Sequence, residues 1–355
     1  EERNGGITDD ERLFFSTGLW HRAQRKRIPF ETSCSFSFEP ELPSGCQMGR
    51  QSSDEWRINA QRATERGVLL QLFETTSGEY WRNKDNWDML LDPCWDMWYG
   101  VTCDEHGFVI ALELMDNNLQ GNLPMSLGDL TSLIKLDLST SAADYHSHEN
   151  GYRNRIIGAL PSLQRATRIE EIEISGNEIN FLPVDLYTNA GSLRILSASH
   201  NRLVTLPRFL RRFVQLHTLD LDHNNINDQW SPDFGFLANM RYLSLQYNLL
   251  QGNVGVEVRR MSKIRTMDIS HNTRLGGEIP EDIGVQWPES DYVTILNTSV
   301  GGYVSSLCVD VPFCWRFMWD THKDLTWATA VDIPDIVNIT ITLALQNAAA
   351  QAAAA

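Results

Sequence analysis

One spacing constrains this chain more than any other. From Leu193, apolar residues stand at Leu193, Leu196, Ala198, Leu203, Leu206 and Leu210, which are places 1, 4, 6, 11, 14 and 18, with Asn201 at place 9. From Leu216 the first five of these places recur as Leu216, Leu219, Leu221, Asn224 and Ile226. Apolar alternation across places 4 and 6 suits a short strand with one buried face. A buried asparagine at a fixed place after the strand suits a turn, because its amide both donates to and accepts from backbone groups left open there. A unit this small cannot bury its apolar edge alone, so successive units must stack. The register starts at Val109, Leu133, Ile169, Leu193, Leu216, Met240 and Ile264, and an incomplete eighth has Val293, Ile295, Thr298, Val300 and Gly302 in place. The expected fold is therefore α/β: a curved solenoid of about eight coils with a parallel sheet on its concave face.

Two features vary among the units. Gly followed by Leu-Pro or Ile-Pro occurs at Gly121 to Pro124, Gly158 to Pro161 and Gly277 to Pro280, whereas Phe181-Leu182-Pro183 and Thr205-Leu206-Pro207 lack the glycine. Mixed convex geometry is expected for that reason. The second unit is interrupted after Ser141, and Ile156 supplies its place 11. The extra residues Ala143 to Arg155 are polar and rich in Gly and Asn, as in an exposed loop. His146, His148 and Glu149 could ligate a metal, but nothing adds further ligands at zinc-site spacing.

Before the repeats, Glu55 to Glu74 has helical spacing, with Ile58, Ala63, Val68, Leu69 and Leu72 apolar. Trp81, Trp87, Trp95, Trp98 and Tyr99 follow as an expected aromatic lid over the open end of the stack; a sugar-binding platform is the functional alternative. The six cysteines fall in local pairs, Cys34 with Cys46, Cys94 with Cys103 and Cys308 with Cys314, all outside the repeats. Of the 15 possible connectivities, locality favours these three, and disulfides imply an oxidising compartment. Sequons at Asn297 and Asn338 agree with secretion and are candidate glycosylation sites.

The stretch Leu69 to Gly121 resembles the amino-terminal cap and first repeat of plant-type leucine-rich-repeat ectodomains. The residues that carry the resemblance are Trp81, Trp87, Asp92-Pro93-Cys94, Trp98-Tyr99-Gly100-Val101-Thr102-Cys103 and LELMDNNLQGNLPMSLGDLTSL, from Leu112 to Leu133. Similar caps occur in secreted and surface proteins of algae and other protists. Leu307 to Trp315 resembles the family's carboxy-terminal cap, closed by a disulfide. The resemblance covers roughly residues 55 to 315 and implies an extracellular or cell-surface protein. It does not imply any one member's function.

These readings divide the chain. Residues 1–53 form an extension with a Cys34–Cys46 hairpin built on the alternating Ser35 to Glu39, and with a basic run, Arg22 to Arg27, that reads as a solvated face. Residues 54–108 form the amino-terminal cap, 109–302 the repeats, 303–320 the carboxy-terminal cap, and 321–355 a strand pattern (Val337 to Leu345) and a low-complexity alanine tail. A formal charge of -16 argues against a nucleic-acid partner or an anionic membrane surface. No apolar run reaches membrane-span length.

Same-numbered strand places stack as columns. Place 5 is mostly acidic: Glu113, Asp137, Glu173, Ser197, Asp220, Ser244, Asp268. Place 8 reads Asp116, Thr140, Gly176, His200, His223, Tyr247, His271, and place 2 carries Arg194, His217, Arg241 and Arg265 in its later members. The candidate ligand-binding strip is Arg194, His200, His223, Arg241, Tyr247, Arg265 and His271, set against the plainer reading of a solvated face. Arg and Tyr are frequent interface anchors, and a histidine ladder can make binding pH-sensitive. No metal or other cofactor is expected, because imidazoles on parallel strands do not converge tetrahedrally. Nucleophile, zinc and phosphate-loop signatures are missing. An open face offers no burial to poise an acid pair, so the expectation is a non-enzyme. It would bind protein or glycan partners by recognition or adhesion. The alternative is a structural subunit of a surface fibre or sheath, docking copies of itself or neighbours through the insertion and the terminal extensions.

Overall fold

The computed structural model describes residues 53–88, 90–141, 153–280 and most of 283–302, together with 317–318. The Cys34–Cys46 hairpin, the basic run, most of the insertion with His146, His148 and Glu149, the Cys308–Cys314 pair, Asn338, and the strand and tail beyond 318 lie outside the described residues. The fold below is that of the unit that begins at Ser53.

Helix α1, Ser53–Thr75, spans the expected helical stretch. Val68, Leu69 and Leu72 are buried along one side of it. Glu65 is also buried; its carboxylate accepts bonds from the Val109 backbone N–H at 2.8 Å and from Gln61 Nε2 at 2.9 Å. The helix thus satisfies a backbone donor on the first rung, a group that would otherwise be orphaned. Burial raises the Glu65 carboxyl above the usual carboxylate range.

Strand β1 (Val101–Cys103) runs antiparallel to β2 (Val109–Glu113) and closes that edge of the sheet. Cys94 is bonded to Cys103. Trp81, Trp87 and Trp98 are buried and pack together, with ring centroids 4.7 Å and 4.8 Å apart in sequence order. Trp95 and Tyr99 do not join them: 57% and 37% of their surfaces are exposed. The expected five-ring lid is a three-ring one. Asp92 Oδ1 accepts the backbone N–H of both Cys94 and Trp95 in a tight turn at that point, and Trp95 remains largely in solvent.

From β2 onward the sheet is parallel: β4 (Lys135–Asp137), β6 (Glu171–Glu173), β8 (Ile195–Ser197), β9 (Thr218–Asp220), β10 (Tyr242–Ser244), β12 (Thr266–Asp268), β14 (Tyr292–Thr294) and β16 (Phe317–Met318), making ten strands in all. Place 4 pairs with place 4 throughout, for example Leu196 with Ile172 and Leu219 with Leu243. That register buries the leucines of places 1, 4 and 6 in one column of core. The last rung, Phe317–Met318, falls within the segment assigned above to the carboxy-terminal cap.

The turn asparagines form a second column. Asn224 Nδ2 donates to the carbonyls of Ala198, Leu221 and Asp222, and its Oδ1 accepts the N–H of Leu203 in the preceding coil. Asn117, Asn177, Asn201, Asn248 and Asn272 are buried at the same place. So is Asn154, which donates to Leu114, Leu138 and Ser139 carbonyls and accepts from Asn117 and Leu119. The insertion therefore spans 141–153, and the reading of 143–155 is corrected: Asn154 is place 9 of the second repeat and Arg155 opens a strand. Thr298 holds this place in the eighth repeat, where its Oγ1 donates to the Ile295 carbonyl at 2.6 Å and accepts from Val300 N–H at 3.2 Å.

On the other side, β3 (Gln120–Asn122), β5 (Arg155–Ala159) and β7 (Glu178–Phe181) form one short sheet, and β11 (Gln251–Val254), β13 (Arg274–Ile279) and β15 (Gly301–Gly302) another. Among the described residues only a bridge between Gln229 and Gln251 lies between them. The mixed geometry follows the glycines in part. Gly277 has φ +96°, and a Cβ there would come within 2.1 Å of the Val254 carbonyl oxygen, so only glycine allows this approach. Repeat three lacks the glycine yet keeps β7, reached through a register shift beside Gly158.

Candidate functional site

The place-8 column is built by the backbone before it is built by side chains. Asp116, Gly176, His200, His223, Tyr247, His271 and Asn297 all have φ between 47° and 73°. Five of the N–H groups reach across to the next coil: Asp116 to the Ser139 carbonyl, Gly176 to Ser199, His200 to Asp222, His223 to Gln246 and Tyr247 to Ser270, at 2.9 to 3.1 Å. That bond holds the residue left-handed, a conformation Gly, Asn, Asp and His accept far more readily than bulky residues do. Six of the seven occupants follow from this demand as much as from any ligand, since Gly, His, Asp and Asn are the tolerant residues. Tyr247 does not follow from it.

The left-handed setting aims the rings alike, and the coil spacing then stacks them. His200 lies 4.1 Å from His223 with planes 10° apart, His223 4.4 Å from Tyr247, and Tyr247 4.0 Å from His271 with planes 6° apart. Asn297 Nδ2 sits 3.2 Å from His271 Nδ1 and extends the column. Tyr247 leaves 45% of its surface exposed. Burial, and then the neighbouring His223, holds His271 below the usual imidazole range.

The expected strip is split by the structure. His200, His223, Tyr247 and His271 follow their strands, whereas Arg194, Arg241 and Arg265 precede them, so the two groups occupy opposite edges of the sheet. On the arginine edge, Arg194 Nε pairs with Glu170 at 3.0 Å. His217 lies in this column too, and burial together with Arg241 and Arg194 holds it below the usual imidazole range. In the early repeats Lys135 bridges Glu113 at 3.0 Å and Glu171 at 3.7 Å, so the acidic end is partly self-neutralised.

Between the edges lies an acidic cluster whose character the sequence reading missed. Asp220 is pushed up to about 7, first by burial and then by the charge of Asp222. Burial also raises Asp268, although Ser270 donates both its N–H and its hydroxyl to the Asp268 carboxylate. Tyr242 is pushed up to about 12 by burial and by Asp220. The expectation that an open face cannot poise an acid is corrected here. The signal available in the sequence was Asp222 at place 7, where the flanking repeats carry Ser199 and Gln246.

His200, Asp222 and His223 offer three ligand atoms within 4.8 Å of one another. The donor set suits a transition metal, and Asp222 Oδ1 and His223 Nδ1 are buried without a hydrogen-bond partner. The geometry does not suit one, because the two imidazole planes are parallel and their in-plane lone pairs do not meet at a point. The 3.3 Å approach of His223 Nδ1 to Asp222 Oδ1 suits an ion pair formed when that nitrogen is protonated.

Past His200, Gly176 leaves the column without a ring. An open cleft of about 260 Å³ begins there, lined by Arg153, Asn154, Arg155, Gly176, Asn177, Glu178, His200, Asn201 and His223.

Comparison with known proteins places the repeats. The sequence profile described as "Leucine rich repeat" matches residues 167–226. The repeats in that stretch are leucine-rich repeats. Receptor-like protein 35 of Arabidopsis thaliana is 30% identical over 190 residues, covering 53% of this chain and 18% of that protein. The chain thus spans about a fifth of the length of the curated relatives it matches. Among solved structures, PEPR1–AtPEP1 aligns with a TM-score of 0.58 at 24% identity, over 72% of this chain and 34% of that one. The ectodomain of the Arabidopsis membrane receptor kinase GASSHO1/SCHENGEN3, solved with CASPARIAN STRIP INTEGRITY FACTOR 2, aligns at 0.53 and 21% identity, over 68% and 31%. These likenesses establish the leucine-rich-repeat solenoid. Among the described residues no helix is long and apolar enough to cross a membrane.

Proposed function

We propose that this chain is a non-enzymatic recognition module outside the cell, holding a peptide or protein partner against the long sheet. The contact runs along His200, His223, Tyr247 and His271 on one edge and Arg194, Arg241 and Arg265 on the other. One observation carries the reading: Tyr247 occupies a left-handed backbone slot that disfavours bulky residues, and much of its surface stays in solvent. Strain of this kind costs about 1–3 kcal/mol and persists at functional sites. Stacking between two neighbours offsets part of that cost but does not explain the exposure. Two solved relatives carrying a bound partner, AtPEP1 in one and CASPARIAN STRIP INTEGRITY FACTOR 2 in the other, support a ligand on this fold. The Cys94–Cys103 bond supports an oxidising, extracellular setting.

The test selects binders for the wild-type protein from a displayed random-peptide library and from a glycan array. Binding is then measured to a variant carrying both Arg241→Ala and Tyr247→Ala. The reading expects peptide binders whose affinity collapses in the double variant while its melting temperature is retained. Peptide binders that hold both variants equally well would reduce the strip to a solvated face. Binders found only on the glycan array would move the partner class to carbohydrate.

A further inference from the structure

The short helical turns that carry each coil back to its next strand make a surface of their own. Val184–Asn189, Leu210–Arg212, Pro232–Phe236 and Val256–Arg260 are such turns in repeats three to six, and the last three pack side by side. Tyr187 and Phe209 join the first to the second, with ring centroids 4.9 Å apart. From Leu186 to Leu219 the sequence holds five arginines and neither Asp nor Glu, in a chain of formal charge -16. Arg194 and Arg202 are bound to Glu170 and Glu178. Arg208, Arg211 and Arg212 are exposed and pair with no carboxylate among the described residues. Of the acids on these turns, Asp185 accepts the Ser162 hydroxyl at 2.6 Å and Glu257 accepts Trp230 Nε1 at 2.6 Å. Asp233, the third, forms no ion pair among the described residues. Phe209 adds a separate observation. Its backbone is left-handed, φ 58° and ψ 42°, where glycine would sit without strain, yet 51% of its surface is exposed. Arg212 lies over the Tyr187 ring at 4.8 Å and the Phe209 ring at 5.7 Å, and Arg260 lies over Phe236 at 5.7 Å. A guanidinium laid on a ring keeps its N–H edge free for a carboxylate.

We propose that this surface docks an acidic peptide segment of a partner protein. Its carboxylates meet Arg208, Arg211 and Arg212, and an apolar side chain beside them packs on Phe209. Charge complementarity sets the sign of the partner. The rings favour a peptide over an anionic polysaccharide, because the faces on which a sugar would stack already carry a guanidinium group. The surface is separate from the strip at His223 and Tyr247, so the inference goes beyond the sheet-face reading and does not depend on it.

The probe is the fluorescein-labelled peptide Glu-Asp-Leu-Glu-Phe-Asp-Glu, titrated against the protein in low salt, where exposed charges are least screened, and followed by anisotropy. The acidic peptide is expected to bind, and a counterpart with Lys at every acidic position is not. Arg208→Glu with Arg211→Glu alters two exposed side chains and is expected to weaken binding about tenfold or more. Phe209→Gly removes the ring and is expected to weaken it about two- to fivefold. Arg241→Ala with Tyr247→Ala is expected to leave it unchanged, which separates this surface from the sheet face. No binding by the wild type, equal binding by the charge-reversed variant, or loss in the sheet-face variant overturns the proposal. Heparin that displaces the peptide and binds more tightly would give the surface to an anionic polysaccharide and overturn it too. So would sedimentation that shows self-association of the wild type and none in the charge-reversed variant, which would give the surface to a second copy of the chain.

Discussion

Repeats one to three and repeats four to seven share one backbone and differ in what they hang on it. Both halves bury an asparagine at the same turn, Asn154 in one and Asn224 in the other, with the same pattern of three donated and one or two accepted bonds. Both present a left-handed residue at place 8 bonded to the next coil. In the first half that slot holds Asp116 and Gly176; in the second it holds His200, His223, Tyr247 and His271. The side chains that the backbone merely tolerates are the small and polar ones. The column of stacked rings is an addition confined to the second half, whereas acids raised by burial occur in both, Glu173 in the first and Asp220 and Asp268 in the second. The shared layer is what makes the solenoid; the unshared layer is where a partner would be recognised.

If the asparagine layer is truly common, Asn154→Ala and Asn224→Ala should each destabilise by roughly 2–4 kcal/mol, since each strands several buried backbone groups. Chemical denaturation measures this, and a cheap Asn154→Ala would show that the interrupted repeat is held some other way. The amino-terminal half depends in addition on its cap: replacing Cys94 and Cys103 together by Ser should cost about 2–3 kcal/mol from loop closure, read as a drop in melting temperature.

The carboxy-terminal half should show a pH signature. Asp220 binds its proton more tightly folded than unfolded, so unfolding becomes easier as pH rises from about 4 through about 7. Its shift corresponds to an upper limit of about 4 kcal/mol, and partial solvent access reduces this to about 1–2 kcal/mol. Asp220→Asn should therefore flatten the pH dependence of stability across that window and stabilise the protein above pH 7. The smallest effect is expected at Tyr247→Asn, where relief of a strained backbone and loss of two stacked contacts oppose each other; stability should change by less than about 1 kcal/mol while partner binding suffers.

Most of the solenoid was legible because leucine spacing and strand period are local signals: the register of Leu193 to Ile226 alone requires parallel rungs. The insertion boundary was misplaced because Ile156 caught attention as the apolar residue, while Asn154, two places earlier, carries the bonds that define the rung. The placement of the candidate strip was not legible, since Arg241 and Tyr247 are close in sequence and lie on opposite edges of a sheet. The raised Asp220 could not be read at all, because burial at an outward-facing place depends on neighbouring coils rather than on its own segment.

The most direct measurement follows a library-selected peptide binder across single alanine variants at place 8. The account predicts losses of about tenfold or more at His223 and Tyr247 and smaller losses at His200 and His271. It predicts no loss for Asp116→Ala, which empties the same left-handed slot in the first repeat. Equal losses at Asp116 and Tyr247, or no loss anywhere along the ring column, would contradict it.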